Sequence, residues 1–251
     1  MIIKTEGITL TSEQREDIES GLLAMDNPEG TILVTSEFEQ SIRKLTGFEH
    51  YSADRGSGGV AAKTIEDHVL INASVLNEPA HGGLKRLVAH EAGHVLMELR
   101  EEDGRKYHRL ATTQWQWNVI SLAVKGMEEY RIERRLADLG FDPASPTALG
   151  YWDIVLFDTN VALVESVLTE QSVDSLFAQV NGAADILVTT LAYTIGSLNS
   201  PASRFAVEAL PLYARQNWDD FVSATWDQRV EFYEGLPACS EPISASVNGH
   251  L

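Results

Sequence analysis

Apolar and polar positions follow two rhythms along the chain, and the change of rhythm divides it. In the first third, short apolar runs alternate with helical stretches. Thr11, Ser12 and Glu13 form an N-cap ahead of a helix reaching Leu23, with acidic residues in its first turns. Asn27-Pro28-Glu29-Gly30 is turn chemistry, and TILVTS after it reads as a short strand. A second short helix is predicted over 38–45. DRGSGG at 54–59 reads as a loop, and VAAKTI and HVLINASV, separated by Glu66-Asp67, predict a β-hairpin that NEPAHGG at 77–83 closes. From about Thr113 onward every apolar pattern has helical spacing. A long helix is predicted over 114–139, stopping near Gly140, and further helices over 147–169, 173–198, 202–216 and 218–235. The expected class is α+β: a catalytic domain over 1–140 with a small N-terminal sheet, an all-helical region over 141–236 and a loose tail over 237–251. The boundary is set at the Pro-containing stretch after Gly140.

One helix in this pattern carries chemistry. In LVAHEAGHVLMEL (87–99), Leu84, Val88, Ala92, Val95 and Leu99 make one apolar stripe, and His90 and His94 lie at an angle to it. A helix turns about 100° per residue, so positions four apart differ by only about 40° and both imidazoles can face one ion. Glu91, about 60° from His94, can reach a water on that ion without being a ligand. Gly93 costs about 1 kcal/mol relative to alanine in mid-helix, which suits a close backbone approach. The competing reading is two histidines hydrogen-bonded in a core; an H-E-x-x-H match placed mid-helix on an apolar background disfavours it.

Composition narrows the choice of metal. The chain of 251 residues has one cysteine, Cys239, which excludes a disulfide framework and leaves His, Asp and Glu as ligands. Acidic residues outnumber basic ones 37 to 19, for a net charge of -18. That balance argues against a nucleic-acid partner, because such affinity rests on Lys and Arg neutralising phosphates. The opening residues lack a basic start followed by an apolar run, and no apolar run reaches the roughly 18 residues of a membrane span. A cytoplasmic protein without membrane contact is expected, its oligomeric state undetermined.

His90-Glu91-Ala92-Gly93-His94 resembles the zincin metallopeptidases, in which two His bind Zn2+ and the Glu is the general base. A small sheet before the active-site helix is also similar to that family. The resemblance covers roughly residues 50–140. One subgroup, the metzincins, has a third His six residues after the second. Here Arg100 stands at that position and Met97 where a glycine is expected midway, so the subgroup does not fit. The gluzincin type instead takes a Glu from a later helix, which MEEYRIERR (127–135) offers. The resemblance then implies Glu129 as third ligand, with Glu133 four residues on as an outer carboxylate steadying a zinc-bound His. Glu128 and the loop residue His108 stay open as alternative ligands. Gly126 would let the long helix approach the His90 helix.

The implied activity is a zinc-dependent peptidase: the ion polarises a water, Glu91 takes its proton as it attacks a peptide carbonyl, and the proton passes to the leaving amine. Tyr107, His108, Tyr130 and Arg131 are candidates by type for stabilising the oxyanion. A zinc-binding regulatory or structural protein without turnover, and a small-molecule metallohydrolase, are the alternatives. His50, His68 and His81 are not assigned to a metal, although His81 could line the cleft mouth. Trp152, Phe157, Trp218 and Trp226 are expected to pack helices together.

Overall fold

A computed structural model of the chain describes residues 1–53, 60–76, 83–102, 104–143, 149–168, 172–197 and 207–243. The expected loop at 54–59, His81 and the Pro-containing stretch from residue 144 to 148 lie outside them. The class is α+β, and two compact units divide the chain, Met1–Glu101 and Glu102–Leu251.

The first unit is a four-stranded sheet with helices. Its elements are β1 (Ile2–Glu6), α1 (Ser12–Ala24), β2 (Thr31–Thr35), α2 (Phe38–Thr46), β3 (Ala62–Ile65), β4 (His68–Asn72) and α3 (Leu84–Leu99). Strand order is β1-β2-β4-β3, with β1, β2 and β4 parallel and β3 antiparallel to β4. The central strands supply the core: Ile32, Val34, Val69, Leu70 and Ile71 are all fully buried. In β1, IIKTE, only Ile3 is even half-buried, and Lys4, Thr5 and Glu6 are exposed. So polar an edge strand gives little apolar signal, and the sequence reading did not anticipate it.

Local chemistry explains the helix starts and turns. Thr11 caps α1 in a full capping box, accepting from the Gln14 N–H while the Gln14 side chain accepts from its own N–H. The β3–β4 hairpin turns at Glu66, which adopts φ 52°, and its register pairs Thr64 with Val69. α1 and α3 pack closely because position 21 has no side chain: a Cβ on Gly21 would lie 2.5 Å from the Lys85 carbonyl oxygen.

The second unit is helical: α4 (Gln114–Asp138), α5 (Leu149–Val167), α6 (Val173–Ser197), α7 (Leu212–Phe221) and α8 (Trp226–Glu234). One core cluster joins Trp152 and Leu156 of α5 to Leu191 of α6 and Trp218 of α7, with Trp152 and Trp218 edge to face at 5.2 Å. A second joins Tyr130 of α4, Ala192 and Ile195 of α6 and Tyr233 of α8. The boundary between the units thus precedes α4, whereas the sequence reading set it after that helix; α4 belongs with α6, against which it packs extensively. The two last helices also begin later than expected. Pro211 stands at the N-cap of α7, where its missing N–H costs the helix no hydrogen bond.

Of the tail expected to be loose over 237–251, residues 244–251 lie outside the described ones. Residues 237–243 are anchored, and Cys239 is fully buried. Arg131 of α4, 1% exposed, donates from Nε to the Pro237 carbonyl at 3.0 Å and from Nη2 to the Glu241 carbonyl at 2.8 Å. Its Nη1 pairs with Glu102 at 2.9 Å. Glu102 in turn accepts from the Ile243 N–H at 2.8 Å, and the Cys239 N–H donates to the Arg131 carbonyl. One buried ion pair therefore holds the backbone of the last described residues.

Candidate metal centre

α3 is buried on nearly every side. Twelve of its residues are enclosed, among them Val88, Ala89, Ala92 and Val95 at 0% exposure. Leu99, expected on the apolar stripe, is 52% exposed at the helix end. Within so apolar an element, an imidazole or carboxylate is costly unless something engages it. His90 is 5% exposed and His94 half-buried, with ring centroids 5.2 Å apart and planes at 74°. The one-turn spacing thus brings the two rings together on one side of the helix, as expected.

Glu91 is 8% exposed and points towards the sheet. The Thr64 hydroxyl of β3 lies 2.7 Å from its Oε2 and 3.2 Å from its main-chain oxygen. A hydroxyl has one proton, and the shorter contact marks its acceptor: Thr64 donates to the carboxylate. One carboxylate oxygen is thereby fixed, which leaves Oε1 as the atom able to take a proton from elsewhere. The sequence reading missed Thr64. The available signal was strand alternation, which sets Thr64 and Ala62 on the face opposite Lys63 and Ile65. Nothing in AKTI says that this face meets α3.

In the second unit, α4 carries the remaining candidates. Glu129 is 6% exposed and Glu133 1%, whereas Glu128 is half-buried. Glu133 accepts from the Ser197 hydroxyl at 3.3 Å. This part of α4 lies tight against α6 at Gly196, where a Cβ would come within 2.8 Å of the Glu133 Cβ and 2.9 Å of the Tyr130 carbonyl. Gly126, expected to admit the His90 helix, makes room for Tyr233 and Val188: a Cβ there would stand 2.5 Å from the Tyr233 hydroxyl.

The other residues singled out by type have identifiable neighbours. His108 places Nε2 3.0 Å from the Ser121 hydroxyl and stacks on Trp117 at 4.7 Å. Tyr130, 2% exposed, stacks on Tyr233 at 5.0 Å, and burial raises the pKa of both phenols, that of Tyr233 to about 12. Lys106 sits over the Tyr107 ring. All three arms of the Arg131 guanidinium are engaged by Glu102 and the 237–241 carbonyls, so its place in the fold is that of a clamp. His68 pairs with Asp67 at 2.7 Å, and His50 is exposed.

No described helix is long and apolar enough to cross a membrane. Comparison of the chain with protein-family models, curated proteins and solved structures gives no match.

Proposed function

We propose that the protein is a zinc-dependent peptidase of gluzincin type, with His90, His94 and Glu129 as ligands and Glu91 as general base. The observation that carries the reading is proximity: one ligand atom each from His90, His94 and Glu129 lies within 4.8 Å of the others. Two imidazoles and one carboxylate are a donor set suited to a catalytic zinc, which keeps a position open for water. Bound there, zinc supplies Lewis acidity and lowers the pKa of water towards about 7. Burial of His90, Glu91 and Glu129 strengthens the electrostatics available to such a site. The mixed sheet that precedes α3 and the motif on that helix are what support a zincin-like fold.

The chain's own residues then divide the work. Glu91, oriented by Thr64 through Oε2, takes a proton at Oε1 from the attacking water and returns it to the leaving amine. The carboxylate of Glu133, held by Ser197, is the outer group. Peptide as substrate rests on the family resemblance.

The test is metal content by mass spectrometry on freshly purified protein, alongside His90→Ala and Glu129→Ala. About one zinc per chain, lost in both variants, is the expected result. No metal in the unmutated protein even after zinc is added back would reduce LVAHEAGHVLMEL to a packing helix and end the peptidase reading.

A further inference from the structure

α5 and α7 leave a groove between them on the second unit, lined by Phe157 and Asn160 from α5 and by Tyr213, Gln216, Asn217 and Asp220 from α7. Its volume of about 510 Å3 falls within the roughly 300–1,000 Å3 of small-molecule sites. Helical spacing explains the placement. Positions 157 and 160 are three apart, and 213, 217 and 220 follow at four and three, so each set runs along one face of its helix. Leu156, Ala214 and Trp218 on the same two helices belong to one buried cluster, so the helices that carry the lining are fixed by the core.

The lining is one-sided in its hydrogen-bonding chemistry. Tyr213 has a single hydroxyl proton and donates it to Asp153 Oδ2 at 2.6 Å, so its oxygen is left to accept. The Asn217 amide nitrogen donates to the Leu156 carbonyl at 3.4 Å, which turns Oδ1 away from that carbonyl as a second acceptor. The Asp220 carboxylate, when ionised, only accepts. Asn160 and Gln216 can present either end of their amides. Among the described residues no Lys, Arg or His lines the groove. Phe157 and Tyr213 are exposed by 53 and 51%, and the face of an aromatic ring attracts a cation.

These features select among ligands. A phosphate or carboxylate would find no cation and would meet the charge of Asp220. A metal ion wants several carboxylates or imidazoles, and the groove offers one carboxylate. A neutral polyol brings acceptors as well as donors, whereas the groups whose hydrogen bonds are fixed here add acceptors only. An alkylammonium matches every part. Its N–H donors suit the Asp220 carboxylate and Asn217 Oδ1, one turn apart on α7, and its chain suits the ring of Phe157. Tyr213 lies a further four residues back, about 6 Å along the helix, so a second amine on the same chain would meet its oxygen. The net charge of -18 draws cations towards the surface. We propose that the groove between α5 and α7 binds a primary alkylammonium group, with Asp220 as its counter-ion and Phe157 against its chain. This does not depend on the peptidase reading.

Isothermal titration calorimetry on the full chain tests this with two probes, putrescine and an acetylated lysine amide, against n-butanol and butyrate as controls of matched chain. The ammonium probes should bind and the controls should not. Tighter binding of putrescine assigns a free diamine as the ligand; tighter binding of the lysine amide assigns a lysine side chain of a partner protein. Asp220→Asn should weaken the tighter probe at least about tenfold, the scale of a hydrogen bond to a charged group. Phe157→Leu should weaken it about threefold, the scale of an exposed cation–π contact. Circular dichroism and Tm should be unchanged in both. Asp219→Asn removes the same charge from the preceding exposed residue, outside the groove, and should leave Kd within about twofold. Failure of both ammonium probes to bind at tens of millimolar would overturn the proposal, as would equal binding of the controls. So would an Asp219→Asn effect as large as that of Asp220→Asn, which would reduce the binding to attraction by an acidic surface.

Discussion

α3 and α4 carry the three proposed ligands on helices of opposite character. α3 is short, apolar and enclosed along almost its whole length, so its polar side chains stand out against their background. α4 is long and mostly polar, and its enclosure begins around Val124 and covers the half that holds Glu129 and Glu133. The difference teaches where a metal site is locally encoded. On α3 the spacing of three residues within one turn is enough to align two imidazoles. On α4 a glutamate among seven charged neighbours is buried in a stretch fixed by distant chain: the notch at Gly196, the Tyr130–Tyr233 stack and the Arg131 clamp hold this half of the helix.

The largest expected effect tests the α3 side alone. Glu91→Gln should lower peptidase turnover by about 100- to 10,000-fold, the usual contribution of general acid–base catalysis, while zinc content by mass spectrometry stays at the unmutated level. Retained turnover would remove Glu91 from the chemistry and leave α3 as a metal-holding helix only.

On the α4 side, Arg131→Ala leaves Glu102 buried without its partner and frees the 237 and 241 carbonyls. A loss of about 3–5 kcal/mol is expected, read from urea unfolding midpoints. Limited proteolysis should cut near 237–243 in the variant first. If both measurements match the unmutated protein, the contrast between a self-contained α3 and a supported α4 collapses.

The packing of α4 on α8 has a pH signature. Burial raises the Tyr233 pKa from 10.0 to about 12, so between those values the unfolded chain has lost a proton that the folded one keeps. Stability tied to this phenol is complete below pH 10 and falls as pH rises towards 12, by about 1.4 kcal/mol per unit. Tyr233→Phe should flatten the decline of Tm over that window, and an unchanged slope would contradict the assignment.

The smallest effect sharpens the α3 side. Thr64→Val keeps the shape of the side chain and removes the donor to Glu91. About a tenfold fall in kcat with KM unchanged is expected, near the roughly 1–1.5 kcal/mol of one hydrogen bond, and Thr64→Ser should restore it. A change confined to KM would place Thr64 against the substrate.

Much of this was legible before any coordinates. The N-cap at Thr11, the turn at Glu66 and Asp67, and the His90–His94 alignment each follow from residues within four positions of one another. β1 was missed because IIKTE is polar and exposed, so hydrophobic patterning had nothing to report. The unit boundary was misplaced because a Pro-rich stretch signals a break in the chain, whereas the units are set by which helices pack, and α4 packs on α6. The anchored tail was invisible for a related reason. Arg131 and the carbonyls it grips are 106 and 110 residues apart, and no local pattern spans that distance.

That separation also has a bearing in time. A ribosome adds about 5–20 residues per second, so the Arg131 side chain is made roughly 5–20 seconds before the backbone oxygens it will hold. Through that interval the nascent helix carries a guanidinium that has Glu102 but not yet its two carbonyl partners, whereas the hydrogen-bond partner named for Glu91 has already been synthesised. The second unit can therefore finish folding only once residues 237–243 have been made, and ribosomes stalled between residues 131 and 237 would expose α4 to proteases that spare α3.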